Sequence, residues 1–185
     1  MEDKALTAAL ARNLDAAFEQ VVLEYQDRLY RFALRLSGCR HDAEEIAQDA
    51  FVRAHQALTE YSSERVKALS LRPWLYQITV NVFRNRARRK RHDLVSMDGD
   101  QRMAPEREQP ERAFELSELG RELAAVLVSL PRGHREAVTL RHIEDLSYPE
   151  IAAVLDQPQG TVKANVHRGL AAMHKRMSEH KRGAT

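Results

Sequence analysis

Apolar residues recur along most of this chain at spacings of three and four rather than two, the period of helices that each bury one stripe. Leu14, Phe18, Val21, Val22, Tyr25, Leu29, Phe32, Ala33 and Leu36 predict one amphipathic helix, stopped by Ser37-Gly38. A second helix is expected to open at Asp42, with Glu45 three residues on, and to turn Ile46, Ala50, Phe51, Ala54 and Leu58 inward. Tyr61 to Arg72 reads as a loop, or a loop with a short helix, and Pro73 starts a third helix with Trp74, Leu75, Ile78 and Val82 on its buried side. From Asp93 to Glu111 the apolar pattern fades among Gly99, Pro105, Pro110 and many charged or amide residues, which is linker composition. The fold expected is all-α, with two small helical domains at 10–92 and 112–180 joined by an acidic, flexible linker at 93–111. Each domain is near the lower limit for a core of its own.

Past the linker, Leu146-Ser147-Tyr148-Pro149-Glu150 opens a short helix. Ser147 and Glu150 have capping-box spacing, and Pro149 falls in the first turn, where a missing N–H costs little. Asp156, Gln157 and Pro158 interrupt the pattern before a second helix resumes with Val162, Val166, Leu170, Met173 and Met177 as its inward stripe. This is the outline of a DNA-binding helix-turn-helix, and the same outline fits a plain two-helix packing unit with a solvated basic face. In the first reading Thr161, Ala164, Arg168, Ala171 and Lys175 face the major groove, flanked by Lys163, Asn165 and His167. Small residues allow close approach to base edges, Arg168 suits a guanine, and Lys163 suits a phosphate.

With 43% hydrophobic residues among 185 and no apolar run of membrane length, neither membrane insertion nor a secretion signal is expected. The single Cys39 cannot form an internal disulfide, which fits a cytoplasmic setting. Net charge is only +2, but its distribution is uneven. Six of the eight residues from Arg84 to Arg91 are basic, while Asp42, Glu44, Glu45 and Asp49 form an acidic cluster. Two partners of opposite charge preference are one explanation, and solvated helix faces are the other. There is no Gly-rich phosphate loop, no H-E-x-x-H and no Cys cluster, so neither catalysis nor a cofactor is expected. His134 with His142, or His167 with His174, lack adjacent-turn spacing, so no metal site is expected either.

Three motifs in order, Asp42-Ala43-Glu44-Glu45-Ile46-Ala47-Gln48-Asp49, then Trp74-Leu75-Tyr76-Gln77-Ile78 with Asn81 and Arg88, then the helix-turn-helix, resemble the extracytoplasmic-function group of bacterial sigma factors. The likeness runs from about Phe18 to Met177. It implies two helical domains, regions two and four, that guide core RNA polymerase to promoter DNA, and an anti-sigma factor as a further partner. By resemblance, Glu45, Gln48 and Asp49 would grip a coiled coil of the largest polymerase subunit; carboxylates and an amide on one helix face suit Arg and Lys donors.

Arg65, Arg72, Trp74, Asn81, Arg84 and Arg88 would, on the same resemblance, meet the minus-ten element and the duplex upstream of it. Asn85 stands where relatives more often have Asp, and Leu75 where housekeeping relatives have a second aromatic residue, implying a weaker strand-opening wedge. Trp74 fits a core position or that wedge, and Arg65, Lys67 and Arg72 fit a strand-lining or a solvated role. Thr161, Lys163, Ala164, Asn165, His167 and Arg168 would read the minus-thirty-five element. The competing reading is a conventional helix-turn-helix regulator that binds duplex DNA without polymerase.

Overall fold

A computed structural model describes residues 2–96 and 118–183, with side-chain placement from 3 to 90 and from 119 to 179. Among the described residues there are nine helices and no strand: α1 (Glu2–Leu10), α2 (Leu14–Ser37), α3 (Arg40–Thr59), α4 (Ser63–Lys67), α5 (Leu71–Ser96), α6 (Glu118–Val128), α7 (Arg132–His142), α8 (Tyr148–Leu155) and α9 (Gln159–Gly183). None of them is long and apolar enough to cross a membrane.

The helix α2 starts where Asn13 accepts a bond from the Ala16 N–H and stops where Gly38 turns left-handed at φ 74°, its N–H reaching Leu34 O. Its inward stripe is the one the spacing predicts, with Val21, Tyr25, Leu29, Phe32, Ala33 and Leu36 buried. The start of α3 differs from expectation. The cap is Cys39, without a side-chain bond, and Asp42 lies in the first turn instead of ahead of it. There its carboxylate still favours the positive end of the helix. The helix α1 was not anticipated, whereas α4 is the short helix that the reading of Tyr61 to Arg72 allowed. α1 packs on α2 and α4 through Leu10 and a bond from the Tyr25 hydroxyl to Asp3, and α4 carries buried Val66.

The helix α5 opens at Leu71, leaving Pro73 in its first turn, and continues to Ser96, beyond the point where linker composition begins. It buries more than one side. Leu75 and Val82 are buried as the spacing predicts, but so are Tyr76, Thr79, Val80 and Phe83, while Trp74 and Ile78 are half-covered. The added face is covered by the C-terminal module, for α5 packs on α8 while α2 packs on α6 and α7. One apolar core therefore runs through both modules, taking Phe32, Leu36 and Val80 from the first and Leu140, Ile151 and Leu155 from the second. Residues 97–117, most of the expected linker, lie outside the described part.

Candidate functional site

The helix-turn-helix is built as its residues suggest. Ser147 Oγ accepts the Glu150 N–H at 3.4 Å while Glu150 Oε2 accepts the Ser147 N–H at 2.7 Å, a complete capping box at the start of α8. The hydrogen bond from the Ser147 hydroxyl holds the Glu150 carboxyl below its ordinary range. Asp156 ends α8 in the left-handed region at φ 52°, which short polar side chains tolerate. Tyr148 lies beneath two cations, Arg141 at 5.4 Å and Lys163 at 5.6 Å from its ring centre, and so ties the starts of the two helices together.

The buried stripe of α9 departs from expectation. Val162 and Val166 are buried, but Leu170 is 39% exposed and Gly169 takes the inward position. A methyl at Gly169 would come within 2.5 Å of Val138 Cγ2, so the missing side chain is what lets α7 and α9 approach. Thr161, Lys163, His167 and Arg168 are exposed, with Ala164 and Asn165 half-covered and the Asn165 amide bonded to Gln157 at 3.3 Å.

In the N-terminal module, Gln48 and Asp49 are exposed on α3, whereas Glu45 is half-buried and paired with Arg86. Arg86 and Lys90 also pair with Asp42, at 3.7 and 2.6 Å. Two basic residues of the run, Arg86 and Lys90, are thus paired with Asp42 and Glu45 of the acidic cluster, while Glu44 and Asp49 stay exposed. Arg88 and Asn81 remain exposed, with Arg88 donating to Asn85 Oδ1 at 3.3 Å.

Trp74 is half-buried and packs against the edge of the core; its ring meets Tyr61 at 6.1 Å, and Arg65 lies over the Tyr61 ring at 3.6 Å. Tyr61 is a member of this aromatic and cationic group that spacing alone could not reveal, since it lies 13 positions before Trp74 with a short helix between them.

Arg72 and Arg84 lie elsewhere, against the C-terminal module. Arg84 makes a two-pronged pair with Glu136, Nε–Oε1 3.1 Å and Nη2–Oε2 2.6 Å, and its Nη1 donates to Leu155 O at 3.4 Å. Glu136 is fully buried, and its bonds raise the Arg84 pKa. Glu144, in the turn between α7 and α8, accepts from the Tyr76 hydroxyl and pairs with Arg35 at 3.5 Å, while Arg72 donates to its backbone oxygen. Burial first, and then the Glu144 charge, push the Tyr76 pKa up. Gln77 donates to Ala153 O at 3.0 Å. From the other side, Arg135 donates to Leu36 O, at the carbonyl end of α2, as well as to Val128 O and Leu130 O. Arg35, Glu136 and Glu144 carried no sequence signal, because their partners lie 52 to 109 residues away. Among the described residues no three His, Cys, Asp or Glu side chains gather where a metal ion could be held.

Comparison with known proteins places two family models on the chain, "Sigma-70 region 2" over residues 21–92 and "Sigma-70, region 4" over residues 120–173. The chain is 37% identical to the ECF RNA polymerase sigma factor SigE of Mycolicibacterium smegmatis, over 89% of this chain and 63% of that protein. It is 31% identical to the ECF RNA polymerase sigma factor SigW of Bacillus subtilis, covering 88% of this chain and 90% of that one. The ECF RNA polymerase sigma-E factor of Escherichia coli is 30% identical, over 94% and 93%. Among solved structures, CnrH in complex with the cytosolic domain of CnrY aligns over 97% of this chain and 99% of its own, with TM-score 0.67 and 25% identity. The sigma factor RpoE of Bartonella quintana, in complex with the anti-sigma factor NepR, shares the fold at TM-score 0.71 and 24% identity, over 87% and 96%.

Proposed function

The chain belongs to the extracytoplasmic-function sigma factors of RNA polymerase, and from that premise we propose that it binds core polymerase in the cytoplasm and directs it to promoter DNA, without catalysis of its own. The observation that carries this reading is the pair of family models matching in order, region two at 21–92 and region four at 120–173. A conventional regulator would account for the helix-turn-helix and leave the first match unexplained.

The division of labour follows the family. Residues 10–92 form the domain for polymerase and the minus-ten element, 93–111 the linker, and 112–180 the domain for the minus-thirty-five element. Glu45, Gln48 and Asp49 meet the polymerase, and exposure of Gln48 and Asp49 on one side of α3 supports this role. Arg65, Trp74, Asn81 and Arg88, with Tyr61 added, meet the minus-ten region. The stack of Arg65, Tyr61 and Trp74 supports it, because bases stack on such platforms irrespective of sequence. Arg72 and Arg84 belong to the same DNA path. Thr161, Lys163, Ala164, Asn165, His167 and Arg168 read the minus-thirty-five element, supported by the outward position of Thr161, Lys163, His167 and Arg168. An anti-sigma factor completes the set of partners by the habit of the family.

The test is transcription by purified core polymerase, with and without the protein, on a pool of promoters from the source genome. Discrete start sites that depend on the protein are expected. Absence of initiation, with tight duplex binding by the protein alone, would transfer the assignment to a conventional regulator.

A further inference from the structure

We propose that Gln157 and Asn165 are positioning residues of the minus-thirty-five site. The bond between them sets the roll of α9, and so governs how sharply Arg168 and its neighbours tell one base pair from another, while neither amide touches a base. The proposal rests on the reading above, in which α9 enters the major groove. It moves Asn165 from the side chains that read to the frame that aims them.

Asn165 is turned toward the protein. At about 100° per residue it lies roughly 70° from the middle of the inward stripe of Val162, Val166 and Gly169, whereas Ala164, His167 and Arg168 lie about 125° or more away. Its side chain is half-covered, and its Nδ2 donates to Gln157 Oε1 at 3.3 Å. A methyl at Gly133, in the first turn of α7, would sit 3.7 Å from the same nitrogen. The amide is therefore lodged between the start of α7 and the turn that joins α8 to α9. His167 and Arg168, by contrast, are exposed.

The other end of the bond is fixed. The Gln157 N–H donates to Ala152 O at 3.0 Å, which pins the residue to the last turn of α8, and Pro158 after it narrows its backbone freedom. Asn165 lies six residues beyond Gln159, the first residue of α9, or about 9 Å along the helix. The bond thus braces the second turn of α9 against the end of α8. The buried contacts that seat this part of α9, through Val162, Val166 and Gly169, are apolar and hold distance better than angle, because burial has no direction. A hydrogen bond does have one. At a radius of about 5–6 Å, a roll of about 10° carries a side-chain tip by about 1 Å. That is enough to spoil a two-pronged contact between Arg168 and a guanine.

The experiment is a double-mutant cycle in the full chain. Gln157→Ala, Asn165→Ala and the two together are bound, as holoenzyme with core polymerase, to a promoter from which the parent protein initiates. The same is done with copies in which each base pair of the minus-thirty-five element is exchanged in turn, and melting temperature is followed alongside. Each single variant is expected to lower discrimination by about fivefold, the weight of one neutral hydrogen bond, at every position where the parent discriminates. The double variant should lose no more than either. Gln157→Glu keeps an acceptor for Asn165 and should keep the discrimination, even where its charge weakens binding to all the DNAs alike. Loss at one base pair with Asn165→Ala, absent with Gln157→Ala, would make Asn165 a reader and overturn the proposal. Full discrimination in both single variants, or losses that multiply in the double variant, would overturn it equally. Should Asn165→Ala melt early, Gln157→Ala set against Gln157→Glu decides, since Gln157 is a half-exposed turn residue. If the parent holoenzyme does not initiate, the functional reading fails instead, and the same cycle on duplexes that the protein alone selects from a random pool still decides the role of the two amides.

Discussion

Two residues show how much a short contact decides. Ser147 and Glu150 hold each other through the capping box, and loss of such a cap costs about 0.5–2 kcal/mol. Because the folded Glu150 carboxyl titrates below its unfolded value, its contribution is present above the ordinary carboxylate range and is lost as the pH falls through the folded pKa. Ser147→Ala should therefore lower the denaturant midpoint at neutral pH and narrow its gap from the parent protein in acid; a constant gap across the titration would contradict this. Gly169→Ala should destabilise despite the better helix propensity of Ala, because its methyl meets Val138 and the His134 backbone at 2.5 and 3.3 Å. Overpacking costs about 1–3 kcal/mol, and a higher melting temperature would show that α7 yields instead. The capping box was legible in the sequence because its partners are three residues apart. The glycine was not, since a residue without a side chain carries no hydrophobic signal, and Leu170 beside it carries a strong one.

At the scale of helices, spacing gave α2 with its stripe and its glycine stop, because that helix buries a single narrow side. It underestimated α5, whose buried positions lie on more than one side; a helix covered by two neighbours loses the contrast on which periodicity depends. It missed the neutralisation of Asp42 and Glu45 by Arg86 and Lys90, since the partners are 41 to 48 residues apart on different helices. On α3 the exposed side supports a direct expectation. Gln48→Ala with Asp49→Ala should weaken binding to core polymerase while leaving the helical signal and melting temperature intact, because neither side chain is packed; unchanged affinity in a titration would remove this side from the polymerase contact. On α9, Arg168→Ala should cost about 1–3 kcal/mol at one promoter position. Loss spread evenly over all sequences would make Arg168 a phosphate contact instead.

For the molecule as a whole, the all-α class and the order of its two modules were readable, yet their joining into one core was not. Residues such as Glu144 and Tyr76 meet across 68 positions, and no local pattern records that. A shared core has a thermodynamic signature. Trp74 is the sole tryptophan and belongs to the N-terminal module, whereas far-ultraviolet dichroism reports helices of both. Thermal unfolding followed by the two signals should coincide as a single transition. Separate midpoints would mean that the modules unfold independently in solution.

Val80, fully buried, lies one helical turn from both Gln77 and Arg84, on the side of α5 that meets the C-terminal module. Whenever the modules part, that apolar strip is wetted, and a chain with wetted core surface is prey to proteolysis and aggregation. Contact between the modules then shields this strip. A closed molecule keeps that strip folded away from proteases. Susceptibility of α5 to a protease would accordingly follow the fraction of molecules whose modules have parted.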